Sequence, residues 1–374
     1  MPARISGRLY QTEFTMRNFI VPALALHLLF IAGQTFSQPF TEKGGAYLEA
    51  ETYVQQGNFH MDEGEWEAAV EFYLSAVDAD PSHQAAQFNL ALANFHLGNF
   101  GKAELSLEKL AEAGSADAQT LELLGLARYH RGNFEKSISA FSAAMQVRQT
   151  ESLYLNRGLA LASASHPKEA FNDFNQALKM NPDNLAACLG KGAVLIELGQ
   201  FSLALDWLDK ALELEPGNAS ALTNQAIAHF KMEEKDAAAG LFEQAISLQP
   251  QASIFLARGQ CRLEVRDWSG ALQDVKLAME VEPENPEVYF FLGTVEMKMG
   301  NAAAAIESFS IALEVNPTVA CLMKRAEAFR QNNQHYEAIN DAYRALDLEP
   351  GNQESKQFLM VAYEKLDEAN LSQK

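Results

Sequence analysis

The chain has no hydrophobic run long enough to cross a bilayer. Its longest, Phe19–Ala32, is 14 residues, where a spanning helix needs about 20. Cysteine is almost missing: Cys188, Cys261 and Cys321 are an odd, widely separated set. That excludes a disulfide framework, and the spacing matches no metal-ligand pattern. Positive charge is scarce too, with 29 basic against 49 acidic residues and a formal net charge of −20. Such a chain is not drawn to a nucleic-acid backbone or an anionic membrane surface. There is no phosphate loop, dinucleotide fingerprint, HExxH or CxxC, so the usual marks of nucleotide or metal chemistry are lacking. The "GKG" at 190–192 reads as packing glycine inside a helix. No cofactor and no small-molecule substrate are expected. Oligomeric state is not readable.

The N-terminal apolar run has a meaning of its own. Met16 and Arg17 precede it, and the small residues Thr35 and Ser37 follow it. A basic start, a short apolar middle and a small-residue end make a secretory signal. Residues 1–37 are therefore expected to be a signal peptide cut after Ser37, with Met16 as the alternative start. An uncleaved anchor built on residues 19–32 is the other reading.

Proline is infrequent but periodic. Pro182, Pro216, Pro250, Pro283, Pro317 and Pro350 are spaced 34, 34, 33, 34 and 33 apart. A fixed period in this range marks a solenoid. On that period, residues 50–352 divide into nine units: 50–83, 84–117, 118–150, 151–184, 185–218, 219–251, 252–285, 286–318 and 319–352. Position 8 is always small, from Gly57 to Ala326. Position 20 is Ala or Ser, and position 27 is Ala except at Leu110. Position 24 is often large and aromatic, as at Tyr73, Phe141, Phe174, Phe242 and Phe309. Positions 4, 7, 8 and 11 share one helical face, as do 20, 24 and 27. Each unit thus reads as two helices in close approach. A turn such as "GNF" separates them and proline closes the second. Ser165, Glu233, Arg266 and Asn333 replace the turn glycine, and Ser115 and Gln149 replace the closing proline.

This pattern resembles the tetratricopeptide repeat. The resemblance implies an all-α, right-handed superhelical solenoid of about nine helix hairpins, with first helices lining a concave surface. Residues 38–49 would be a short linker. Residues 353–374 would be a capping helix and tail, because the last repeat of such an array must cover its apolar face.

Two sets of candidate functional residues follow. Arg157 at position 7 is matched by Asp173 at position 23, and the pair recurs as Arg258 with Asp274 and Arg325 with Asp341. Position 23 faces the first helix of its own unit, so an ion pair within each hairpin is expected. A guanidinium that grips a ligand anion is the alternative. The three units concerned are those reached by a 33-residue step. The second set rests on the resemblance, which implies concave contacts from positions 2, 5, 9, 12 and 13. Those are occupied by Phe88, Leu92, Phe95, Leu126, Tyr129, Leu155, Leu159, Leu189, Ile196, Ile227 and Phe230. An exposed apolar stripe of this kind marks an interaction site; packing between helices is the alternative. His96 and His130, both at position 13, read as polar groups at the groove edge.

The expected function is an exported, non-enzymatic scaffold that binds a protein or peptide partner, most naturally in a bacterial periplasm. The alternative is an accessory or regulatory subunit of an envelope enzyme or assembly complex, tethered by an uncleaved anchor.

Overall fold

The computed structural model describes residues 44–372 except 113, 115 and 116, with side chains through residue 363. The proposed signal peptide lies outside the described residues, as does Ser115. The described residues are helical throughout, and the helices run in antiparallel pairs. The division of the chain falls between Pro216 and Gly217, giving two compact units.

The first unit holds five hairpins. Their helices are α1 (Gly45–Asp62) with α2 (Trp66–Ala79), α3 (Gln84–His96) with α4 (Phe100–Glu112), α5 (Ala118–His130) with α6 (Phe134–Val147), α7 (Glu151–Ser163) with α8 (Pro167–Met180), and α9 (Leu185–Glu197) with α10 (Phe201–Leu214). The second unit holds four: α11 (Ala219–Lys231) with α12 (Lys235–Leu248), α13 (Ala252–Glu264) with α14 (Trp268–Val281), α15 (Pro286–Lys298) with α16 (Ala302–Val315), and α17 (Val319–Gln331) with α18 (His335–Leu348). A last helix, α19 (Gln353–Ser372), follows. It covers the ninth hairpin through Leu359, Phe358 and Ala362, which join the core of Phe309, Leu322, Met323 and Ile339.

Close approach within each hairpin depends on the small residue at position 8. A Cβ added to Gly57 would stand 2.5 Å from the Tyr73 ring, and one on Gly125 would stand 2.6 Å from Phe141. Both rings are fully buried. Only hydrogen fits under them, which is why position 8 is small wherever position 24 is aromatic.

All nine first helices stop by the same hydrogen bond. The residue beginning the second helix's N-cap donates its N–H to the carbonyl five residues earlier, as in Asn99 to Asn94 and Gln334 to Phe329, at 2.8–2.9 Å. This closure places one residue in the left-handed region. Glycine fills that place at Gly64, Gly98, Gly132, Gly199 and Gly300, and Ser165, Glu233, Arg266 and Asn333 fill it with φ of 60–76°. The helices therefore end at the same point with or without glycine.

The links between hairpins are of two kinds. Four of the 34-residue steps end on His83, Asn184, Asn218 or Asn285, with N-cap φ between −71° and −73°. The 33-residue steps end on Thr150, Gln251 or Thr318, with φ between −124° and −127°. One residue fewer in the link thus appears as a more extended N-cap.

Within each unit, first helices also touch successive first helices, and second helices make no comparable contacts with one another. First helices therefore form the tighter row. In α9 every residue from Ala187 to Ile196 is buried.

Candidate partner-binding surface

The apolar stripe expected on the first helices is largely closed. Phe95, Leu159, Leu189 and Ile196 are 4–6% exposed, and Ile227 is fully buried. These five are packing residues, which corrects the expectation of a continuous exposed stripe. Within each unit successive first helices contact one another, which leaves less open surface on this face than the sequence pattern implies. The accessible remainder in the first unit is Phe88, Leu92, Leu126, Tyr129 and Leu155, all partly exposed. Phe88, Leu92 and Leu126 border one core cluster, and Leu126 and Tyr129 border the adjoining one. Four of them thus lie on adjoining cores of the second and third hairpins, and Leu155 stands partly open on the first helix of the fourth. Phe230, also partly exposed, belongs to the second unit.

The three arginines at position 7 each meet the aspartate at position 23. Arg157 donates from Nε and Nη2 to the two oxygens of Asp173 at 2.7 and 2.8 Å. Arg325 does the same to Asp341, both at 2.7 Å. Arg258 reaches one oxygen of Asp274 at 3.0 and 2.7 Å, and Arg262 approaches the other at 2.8 Å. The bidentate geometry satisfies the fork of the guanidinium. Asp173 holds the Arg157 guanidinium more firmly protonated than usual. Burial pushes the Asp274 carboxyl up, while Arg258 and Arg262 pull it back.

Sequence reasoning missed a third partner. Each of these arginines also reaches 15 residues back, to the preceding hairpin: Arg157 to Ser142, Arg258 to Glu243 and Arg325 to Ser310. The shorter link and the position-7 arginine thus occur together where a guanidinium ties two hairpins. The recurrence of the same spacing three times is the signal that would have revealed it.

Other polar groups also escaped the sequence. Glu104, with a side chain 5% exposed, accepts from Arg128 Nε at 3.0 Å and from Arg131 Nη1. Burial opposes its charge, yet the two guanidiniums hold its carboxyl below the usual range. The i, i+4 carboxylates Glu104 and Glu108 on α4, facing Arg128 in α5 and Arg131 at its C-cap, were its legible sign. His96 stacks on Trp66 and His130 on Phe100, with centroids 4.4 and 4.5 Å apart. Among the described residues no group of three His, Cys, Asp or Glu is placed to hold a metal. The three cysteines are buried and free. Positions 7 and 23 of the fifth hairpin carry Lys191 and Trp207, an exchange whose meaning the sequence alone did not show.

A family model described as tetratricopeptide repeat matches residues 47–118, 97–149, 155–219, 223–286 and 290–353. A TPR repeat-containing protein of Methanocaldococcus jannaschii is 27% identical over 157 residues, 42% of this chain and 28% of that protein. The peroxisomal targeting signal receptor of Candida albicans is 30% identical over 95 residues, 25% of this chain and 16% of the receptor. The chain thus spans less than a third of the length of either relative. The crystal structure of yeast Tom70 superposes with a TM-score of 0.56 at 16% identity, covering 87% of this chain and 90% of that one. At that identity the likeness concerns the fold alone.

Proposed function

The chain belongs to the tetratricopeptide repeat family, and from that premise we propose that it is an exported, non-enzymatic scaffold that binds a partner protein. TPR proteins in general mediate protein–protein interaction, and one relative is by name a receptor for a targeting signal. The observation carrying the proposal is the patch of Phe88, Leu92, Leu126, Tyr129 and Leu155, five large apolar side chains left partly open on first helices. An apolar helix or extended segment of a partner would bury them. Export rests on the sequence of residues 16–37 and on buried thiols that need no reducing compartment.

Two measurements test this reading. Leu126→Lys with Leu155→Lys is expected to abolish partner capture from the exported fraction while circular dichroism stays unchanged. Leu159 is unsuitable for this purpose, because a lysine there would enter the core. Loss of helicity in the double variant would make the patch a packing feature and remove its role in binding. Mass spectrometry of the native protein should show a chain beginning at Gln38. A chain retaining residues 19–32 in the membrane fraction would support the tethered accessory subunit instead.

A further inference from the structure

Position 7 of the fifth hairpin holds a buried cation with no counter-charge. Lys191 is 7% exposed. Its Nζ lies 3.6 Å from the Trp207 ring centroid and 5.3 Å from that of Phe171. Where the fourth, seventh and ninth hairpins place aspartate at position 23, this one places that tryptophan. Among the described residues, no carboxylate pairs with Lys191 and no acceptor receives a hydrogen bond from it. An aromatic face offsets part of the cost of burying an ammonium. It supplies neither a compensating charge nor acceptors for three N–H groups. Burial accordingly draws the Lys191 pKa below the ordinary lysine value.

The ammonium borders a cavity of about 370 Å³ in the first unit, between the fourth and fifth hairpins. Asn172, Asn175, Gln176 and Lys179 line it from α8, with Leu178, and Trp207 lines it from α10. No acidic residue is among these. Lys179 Nζ donates to the Gln176 carbonyl at 3.5 Å, which leaves the NH₂ end of that amide to donate. In a chain of net charge −20, this cavity has two ammoniums, three primary amides and no anion. Its walls are mostly second helices, so it is separate from the patch on the first helices.

We infer that this cavity binds a single carboxylate group, with its oxygens on Lys191 Nζ and the amide donors of α8 and its plane against Trp207. A monoanion fits better than a phosphate dianion. The nearby third cation, Lys210, is already engaged by the Pro182 carbonyl at 2.5 Å and by Asp183 at 3.5 Å. Lys179 stands exposed at the rim. Among the described residues lining this cavity, Lys191 is the one buried positive charge that is unmatched. The carboxylate would come from a small organic acid or from an acidic side chain of a partner.

Trp207 itself reports the outcome. In the full chain carrying Trp66→Phe and Trp268→Phe, its emission is followed against sodium glutarate. Two parallel titrations use a short peptide with one glutamate and blocked ends, and sodium chloride at equal ionic strength. The expected result is a saturable change with glutarate or the peptide, and none with chloride. Saturation by glutarate alone assigns a free acid, and saturation by the peptide alone assigns a partner's side chain. Lys191→Met should weaken the response at least tenfold while raising the melting temperature, because it removes an unmatched buried charge. Should that variant not fold, acetylation of the unaltered chain decides: the ligand should protect Lys191 and spare the other lysines. A response no different from chloride, with no protection of Lys191, overturns the inference.

Discussion

A guanidinium next to an aspartate has a different weight in each of the three paired hairpins. Arg157 and Asp173 face each other with a single serine as third contact. Asp274 is fully buried between Arg258 and Arg262, and Asp341 also accepts from Arg344 at 3.3 Å. Asp274→Asn therefore removes the buried charge shared by two cations, leaving Arg258 with the exposed Glu243 and Arg262 with Asp267 at 4.0 Å, and should cost about 3 kcal/mol. Asp173→Asn should cost less, since solvent reaches Arg157. Replacing Arg157 and Asp173 together by apolar residues of similar size should recover most of the loss. The same double replacement at Arg258 and Asp274 should recover less, because Arg262 would lose its closest carboxylate and keep only Asp267 at 4.0 Å and the Gly270 carbonyl at 3.0 Å. Denaturant melts of the single and double variants measure the two couplings, and equal recovery would show that Arg262 has no part. The 16-residue spacing made each principal pair legible. The extra cations were not, since Arg262 and Arg344 come from positions with no such recurrence.

His96 sets a pH dependence at the same scale. Burial against Trp66 lowers its pKa below 6.5, so the unfolded chain binds a proton more readily than the folded one. The contribution of this histidine is then complete above about pH 6.5 and is lost as pH falls below it toward the folded value. Stability of the unaltered chain should decline from pH 6.5 to 5 more steeply than that of His96→Gln. Identical slopes would mean that stacking does not shield the ring.

Among the elements, the hairpin turn is the most uniform. Its left-handed residue is non-glycine in four cases, and a side chain is disfavoured there. Glu233→Gly and Arg266→Gly are each expected to stabilise by about 0.5–1 kcal/mol, net of the freedom glycine adds to the unfolded chain. Asn333→Gly should gain less, since asparagine tolerates this conformation. Thermal melts would show it, and a loss of stability would place an unrecognised contact on the replaced side chain. Helices and turns were readable because small residues, aromatics and prolines act within one hairpin. The state of Leu159 or Ile227 was not. Whether position 9 is open depends on how near the next first helix stands, and that distance is a product of packing between repeats.

For the molecule as a whole, the ends of the array matter most. The ninth hairpin is covered by α19, where Leu359 is 8% exposed and Ser355 fully buried. A chain ending at Asn352 would uncover Met323 and Ile339. It should melt earlier and aggregate with rising concentration, as an uncapped solenoid does. Light scattering of the two forms checks this. An unchanged melt would assign α19 to the tail.

Among the described residues of each unit, the main helix contacts are with neighbours and next-but-one neighbours, which gives each unit mechanical modularity. A chain held at its two ends and stretched gives way where the neighbours are fewest. Each yielding hairpin hands over its own length and leaves the rest of the row standing. At about 3.3–3.6 Å per extended residue, a unit of 33 or 34 residues releases roughly 110–120 Å of slack. Force-extension traces should accordingly be a staircase of small, evenly sized steps, with each unit taking up load one hairpin at a time.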